Sequence, residues 1–249
     1  MLGSGTSTGV PVVGCGCAVC TSDDPRNRRL RPGVRIDLEG GTIVVDTSPD
    51  FREQALRHRI GRVDAVLYTH PHADHVFGLD DLRVFNFLQR SSIPCYGSET
   101  TIARLRQIFS YVFEEGQEGG GKPRIDLEVV AEPFEVLGER VVPVPVWHGT
   151  MPVFGYRIGP FALVTDVNRI PEESFARLEG LDLLILSALR HRPHPTHFTV
   201  AEAIEIAARI GAKRTVLTHI AHEVDHGALL RELPAGVEPG HDGLVVEVA

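Results

Sequence analysis

The segment from Tyr68 to His75 concentrates side chains that bind metal ions. It places three histidines and an aspartate, His70, His72, Asp74 and His75, directly after an apolar run. Four titratable groups crowded into a solvated loop would repel one another on protonation and would gain nothing from burial. Imidazole and carboxylate are ligands of first-row metal ions, and a bound metal removes this conflict. The segment therefore predicts a metal site.

Three further ligand-type residues follow apolar runs in the same way. The run 141–147 ends at His148, the run 161–165 at Asp166 and the run 215–218 at His219. In α/β folds such residues gather beyond the strand ends, on loops held by a rigid scaffold. The complete set of five histidines and two aspartates suits two metal ions with one bridging carboxylate.

Two metal ions about 3.5–4 Å apart can share a water, bring its pKa toward ~7 and bind a developing oxyanion. This chemistry hydrolyses acyl or phosphoryl centres. Zinc fits histidine and aspartate ligands without a redox partner, and manganese suits the ion that carries carboxylates. We therefore expect two divalent ions, zinc or manganese, at this site.

A second cluster contains three of the four cysteines, Cys15, Cys17 and Cys20. Three thiolates are one ligand short of a tetrahedral structural zinc, and His222, three residues after His219, is the candidate for the fourth. The alternative is a disulfide or a redox role. Clustered cysteines in a chain of this length favour a metal over a disulfide framework.

Short apolar runs alternate with helix-like segments along the chain, which predicts an α/β fold. Enrichment in β-branched residues favours strands at Thr42–Val45, Val63–Tyr68, Val141–Val146, Phe161–Thr165, Asp182–Leu186, Thr215–Thr218 and Leu244–Val248. No repeat or long linker divides the chain, so residues 1–249 are expected to form one domain.

Three segments carry signals for helix ends or loops. Ser48, followed by proline, predicts a helix N-cap. Thr199 and Glu202 predict a capping box for a helix that ends at Gly211. The segment Glu114–Pro123 is rich in glycine and charge and predicts a mobile surface loop.

The order and spacing of the ligands resemble the metallo-β-lactamase superfamily over nearly the whole chain. The resemblance implies a four-layer αββα sandwich. It implies one metal ion on His70, His72 and His148, a second on Asp74, His75 and His219, and Asp166 between the two. The N-terminal strand of that superfamily is longer than Met1 and Leu2 provide, which leaves open a start upstream of Met1.

Within the superfamily the chain is similar to the PhnP-type phosphoribosyl cyclic phosphodiesterases. The shared segments are the opening Gly3-Ser-Gly-Thr-Ser-x-Gly-Val-Pro11, the cysteine turn, Asp46-Thr-x-Pro-Asp50-Phe-Arg and His194-Pro-Thr-His197. The resemblance implies a structural zinc on Cys15, Cys17, Cys20 and His222. It also implies that His197 is the general acid, and it makes Asp74 a catalytic residue as well as a ligand. The implied substrate is a small cyclic phosphodiester, of the ribose 1,2-cyclic phosphate or 2′,3′-cyclic nucleotide type.

Composition limits the partners. The chain has 43% hydrophobic and 23% charged residues and a net charge of −8, which argues against a broad surface for nucleic acid or anionic membrane. The sequence shows neither an apolar run long enough to span a membrane nor a secretory signal. We therefore expect a cytoplasmic enzyme with a small phosphodiester substrate, and the sequence leaves a homodimer open.

Other functions remain as alternatives. A ribonuclease Z-like activity would need an arm that grips tRNA, and the segment Glu114–Pro123 is too short and too acidic for one. A β-lactamase or another hydrolase of the superfamily would use the same metal pair. A zinc-binding or redox-sensing protein without activity would need only the cysteines. The stretch from His222 to His226 fits the His-Glu-x-x-His pattern of zinc proteases, but glycine follows it at once.

Overall fold

The computed structural model describes residues 1–114 and 121–248, so most of the glycine-rich segment Glu114–Pro123 lies outside the described residues. Two β-sheets face each other, and helices pack on both outer faces. This is the predicted four-layer αββα sandwich.

The first sheet has five strands in the order β1-β2-β3-β4-β5. Their bounds are Val34–Leu38 (β1), Gly41–Val45 (β2), Ala65–Leu67 (β3), Ile93–Gly97 (β4) and Ile125–Val129 (β5). The first two form an antiparallel hairpin, and the others join in parallel. Parallel pairing brings the carboxyl ends of β2, β3 and β4 to one edge of the sheet.

The second sheet has seven strands in the order β12-β11-β10-β9-β8-β7-β6. Their bounds are Phe134–Val136 (β6), Glu139–His148 (β7), Met151–Ile158 (β8), Phe161–Val164 (β9), Leu183–Ser187 (β10), Arg214–Thr218 (β11) and Val237–Pro239 (β12). The strands from β6 to β9 pair antiparallel, whereas those from β9 to β12 pair in parallel.

Eight α-helices cover the sheets in the described part of the chain. They are Phe51–Arg57 (α1), Ala73–Val76 (α2), Leu82–Gln89 (α3), Glu99–Ile108 (α4), Ser110–Phe113 (α5), Glu172–Phe175 (α6), Val200–Ile210 (α7) and His226–Glu232 (α8). Apolar residues of α1, α3 and α4 pack on the first sheet, and those of α7 and α8 pack on the second. A third apolar cluster fills the space between the sheets.

The helix signals are partly confirmed. Thr199 and Glu202 form the predicted capping box, and α7 ends at Gly211 with a positive φ of 71°. The prediction of Ser48 as an N-cap is wrong, because α1 begins at Phe51 and Asp50 occupies its N-cap position. The Ser48 hydroxyl instead accepts a hydrogen bond from the Asp50 amide within the preceding turn.

Six of the seven predicted strands are present, with bounds shifted by up to two residues. The seventh, Leu244–Val248, does not form a strand. Leu244, Val246 and Val248 still pack against the cluster between the sheets. The apolar pattern thus predicted the buried face correctly, but a strand also needs a neighbour that completes a hydrogen-bond ladder. Among the described residues, no helix is long and apolar enough to cross a membrane.

Candidate metal centre

The ends of several strands deliver the predicted ligands to one edge of the sandwich. His70 follows β3, and His148 is the last residue of β7. Asp166 and His219 follow β9 and β11, and both have positive φ angles, 52° and 60°. A positive φ at a residue other than glycine costs about 1–3 kcal/mol and is frequent at functional sites. The backbone is therefore strained where it turns these two side chains inward.

One group of possible ligands consists of His70, His72 and His148, whose ligand atoms lie within 4.8 Å of one another. The ring of His70 is 4.6 Å from that of His72 and 5.4 Å from that of His148, measured between centroids. His70 and His148 are buried, whereas His72 is exposed. Three imidazoles converge here, with one of them at the mouth of the site.

A second group consists of Asp74, His75, Asp166 and His219, all buried. Asp166 Oδ1 lies 3.3 Å from Nε2 of His75 and 3.3 Å from Nε2 of His219. Its other oxygen lies 3.8 Å from Nε2 of His70, which belongs to the first group. Asp166 thus faces both groups, as expected for a bridging carboxylate.

Unpaired nitrogens show that these groups fit metal ions. The Nε2 atoms of His70, His75 and His219 are buried, and none has a hydrogen-bond partner among the described residues. Burial opposes ionisation of Asp166, but the imidazoles of His219 and His75 outweigh it and hold the pKa of the carboxyl well below its usual range. Buried lone pairs around an ionised carboxylate form a suitable set of ligands for divalent cations.

Hydrogen bonds at Nδ1 orient three of the imidazoles. His148 Nδ1 donates to the Thr196 carbonyl at 2.9 Å, and His75 Nδ1 donates to Asp46 Oδ2 at 2.7 Å. The Thr69 hydroxyl donates to Asp46 and therefore accepts from His70 Nδ1 at 3.0 Å. In each case the proton lies on Nδ1, which leaves the Nε2 lone pair free to bind a metal.

Asp46 contacts the candidate ligand His75, and the sequence analysis gave it no role. Its buried carboxylate accepts from His75 Nδ1 and from the amide and hydroxyl of Thr69. It directly follows β2, so the rule that located Asp166 and His219 also applies to it. Its position after a strand could have assigned Asp46 to the centre. Its partner could not be predicted in this way, because His75 lies 29 residues away in sequence.

Replacing Asp46 by asparagine should weaken metal binding at the centre by about 10–100-fold, because such carboxylates hold the ligating histidine in one tautomer and orientation. Competition with a chelator measures the change. Asp64→Asn is the matched control, since Asp64 likewise accepts a backbone amide, that of Thr42, at 2.9 Å. Equal losses of affinity in both variants would contradict the role given to Asp46.

The predicted cysteine cluster also assembles. Cys15, Cys17 and Cys20 lie 3.4, 3.4 and 3.6 Å from His222 Nδ1, measured from Sγ. All three thiols are free of disulfides. The amide of Cys20 and the imidazole of His222 lower the pKa of Cys17 to about 6, while burial raises that of Cys20 to about 11. The geometry fits a tetrahedral zinc site, and the zinc itself stays a prediction.

His197 lies beside the ligands. Its ring stacks on that of His219 at 4.8 Å and lies 4.7 Å from that of His148. Nδ1 is buried and has no hydrogen-bond partner within residues 1–114 and 121–248, which leaves Nε2 as the nitrogen that can face a substrate. Burial and the neighbouring imidazole of His219 lower the pKa of His197 to about 3. A ligand atom of His197 also lies within 4.8 Å of those of His148 and Asp166, so the geometry allows either a proton donor or a ligand.

The His-Glu-x-x-His stretch does not form a protease motif. The helix α8 begins only at His226, so the two histidines do not share a helix face. His222 instead turns toward the cysteines. The fourth cysteine, Cys95, lies outside this cluster and is buried in β4.

Comparisons with known proteins agree with this architecture. Residues 41–220 match the family model of the beta-lactamase superfamily domain. The crystal structure of a diphosphatase from the PhnP family is 45% identical and superposes with a TM-score of 0.93, covering 100% of this chain and 96% of that one.

Two curated relatives are named for activities other than diphosphate hydrolysis. An octanoyltransferase from Porphyromonas gingivalis is 41% identical over 98% of this chain, which spans 50% of that protein's length. A ribonuclease Z from a Bradyrhizobium species is 26% identical, over 84% of this chain and 89% of the relative. The family match and the full-length likeness to the diphosphatase show that the chain belongs to the metallo-β-lactamase superfamily and, within it, to the PhnP family.

Proposed function

We propose that this protein hydrolyses a P–O bond in a small phosphodiester, with ribose cyclic phosphates and 2′,3′-cyclic nucleotides as the first candidates. The observation that carries the proposal is the position of His197. Neither the His70, His72 and His148 group nor the Asp74, His75, Asp166 and His219 group needs this imidazole, yet it lies against both. When it is protonated, an imidazole that holds no metal can give a proton to a leaving oxygen there.

The charges of the site favour a diester. Two divalent ions on these ligands would lower the pKa of a shared water and stabilise charge that develops on the phosphoryl oxygens. Five neutral imidazoles and two carboxylates leave such a site with a net positive charge. A singly negative diester matches it, because its further charge appears only as the bond to the leaving oxygen breaks. The acidic chain offers little attraction for a long polyanion.

The residues of the site would have separate roles. Asp74 and Asp166 hold the ligand geometry, and the buried Nε2 atoms of His75 and His219 point at them. His197 gives its proton to the departing oxygen. Binding of a phosphate raises the low pKa of His197, since the negative charge favours the imidazolium.

Diphosphate hydrolysis is the second candidate, because the 45% identical relative is a diphosphatase. A diphosphate esterified at both ends also presents phosphorus centres with a single negative charge. Its leaving group is a phosphate ester, which departs without a proton more readily than an alkoxide does. Diphosphate cleavage should therefore depend less on His197 than cleavage of a cyclic diester.

One panel of substrates, assayed with zinc and with manganese, tests the proposal. It contains ribose cyclic phosphates, 2′,3′-cyclic nucleotides, an esterified diphosphate, linear RNA, a tRNA precursor, a phosphomonoester and a chromogenic β-lactam. We expect kcat/KM for the best cyclic diester to exceed that for the monoester by at least ~100-fold. An Asp166→Asn sample purified in parallel reports any contaminating phosphatase.

Each other outcome has a distinct meaning. Turnover of the diphosphate without the cyclic diesters would select the second candidate. Turnover of the tRNA precursor or the β-lactam, with none of the small phosphate esters, would reject both candidates and leave a hydrolase of another class.

A further inference from the structure

The turn that follows β11 carries possible ligands for both metal clusters. His219 belongs to the group with Asp74, His75 and Asp166, and His222 belongs to the cysteine cluster. Three residues span at most about 11 Å of chain. Because the segment between them is so short, a displacement of His222 also displaces His219.

A buried arginine holds this turn. Arg29 is 1% exposed, and both terminal nitrogens of its guanidinium donate to the Val224 carbonyl at 3.0 Å. One of them also donates to the Ala221 carbonyl at 3.3 Å, and the other to the Asn27 side chain at 3.1 Å. The two carbonyls flank His222 on either side. The guanidinium thus fixes the backbone on both sides of this possible zinc ligand.

The backbone of Arg29 reaches the cysteine loop. Its amide and carbonyl pair with Val10, each at 2.8 Å. Two residues later the Val12 amide donates to Cys20 Sγ at 3.3 Å. Gly5 also packs closely against Arg29, where an added Cβ would lie 2.8 Å from the Arg29 carbonyl oxygen and 2.9 Å from its Cβ. Arg29 therefore joins the loop that bears the cysteines to the turn that bears His219 and His222.

The arginine is costly to bury. Its acceptors are uncharged oxygens, and its Nε has no partner in the part of the chain that the structure describes. Burial lowers the pKa of the guanidinium to about 10. A buried cation without a contacting carboxylate destabilises a fold, so packing alone does not explain a guanidinium here.

We infer that the turn 218–224 couples the two metal centres and that Arg29 is its positioning residue. A metal on the cysteine cluster fixes His222, Arg29 fixes the carbonyls around it, and together they hold His219 where its group needs it. The inference rests on the metal assignments proposed above, but not on any substrate. Because coupling of binding is reciprocal, filling either centre raises the affinity of the other by the same factor.

Cobalt(II) alone is a suitable probe, because thiolate-to-cobalt absorption reports the cysteine cluster separately from total bound metal. The wild type should bind three ions. We expect Cys17→Ser, which removes a cysteine ligand, to weaken one of the two remaining ions by about tenfold or more. Asp74→Asn, which removes a ligand outside the turn, should weaken cobalt at the cysteines by a comparable factor.

Two substitutions at Arg29 test its role. Arg29→Met keeps the bulk and removes the donors, and it should weaken the ion near His219 by about tenfold. Arg29→Lys keeps a donor and should recover part of the loss. Arg177→Met is the matched control, because Arg177 donates to the Pro143 carbonyl at 2.6 Å and belongs to neither cluster. It should change stability without changing metal affinity.

The results separate the possible failures. If Cys17→Ser binds its two remaining ions with wild-type affinity, the centres are independent and the inference is overturned. If Arg29→Met and Arg177→Met both lower only the melting temperature, Arg29 has a purely structural role. A wild type without thiolate-to-cobalt absorption overturns the zinc assignment together with the coupling. Should Arg29→Met fail to fold, the Arg29→Lys and Cys17→Ser titrations decide.

Discussion

Replacing His197 by alanine is expected to lower kcat for a cyclic phosphodiester by about 10²–10⁴-fold while metal content stays at the wild-type level. The imidazole lies 4.8 Å from the ring of His219, measured between centroids, yet neither candidate ligand group needs it. Its removal should therefore take away the proton donor and leave the metals. Steady-state kinetics and elemental analysis of the same sample measure the two effects.

The leaving group and a neighbouring histidine sharpen this test. The loss in kcat should shrink for an activated ester whose leaving group departs without a proton. His194→Ala is the matched control, because His194 is half-buried in the same loop with its ring 5.1 Å from that of His197. Its effect on kcat should be much smaller. If His197→Ala also loses a metal ion, His197 is a ligand, as its closeness to His148 and Asp166 allows.

The sequence located the candidate ligands because each one follows an apolar strand. Asp166 and His219 lie just beyond β9 and β11, and His70 lies three residues beyond β3. Neighbouring parallel strands end at the same edge of a sheet. The positions of the strand ends were therefore enough to predict that residues distant in sequence form one site. His222 was located in a different way. It lies only three residues after His219, and the three cysteines lacked a fourth ligand.

Other features depend on contacts that spacing does not encode. The role of Asp46 requires knowing that it meets His75 across the sheet edge. Arg29 would be taken for a surface arginine in a chain rich in them, and only the fold shows its guanidinium buried among carbonyls. The segment Leu244–Val248 has the apolar alternation of a strand, but that pattern reports burial of a face and not the presence of a pairing partner.

Asp166→Asn is expected to weaken binding of at least one active-site ion by more than ~100-fold, since even carboxylates that only support a ligand contribute about 10–100-fold. Asp166 contacts Nε2 of His70, His75 and His219 at 3.3–3.8 Å, so it faces both ligand groups. Asparagine keeps the shape and removes the charge. The variant would lose the negative charge that faces both groups and that would offset the repulsion between two bound cations.

Thermal unfolding with added zinc measures this loss without any substrate. At a free metal concentration of 100 times the wild-type Kd, one ion stabilises the wild type by about 2.7 kcal/mol, and a 100-fold weaker variant keeps only about 0.4 kcal/mol. Asp182→Asn is the control, because Asp182 pairs with Lys213 outside both clusters. It should respond to zinc as the wild type does. An Asp166→Asn protein with the full zinc-dependent rise in melting temperature would show that the ions bind without a bridging carboxylate.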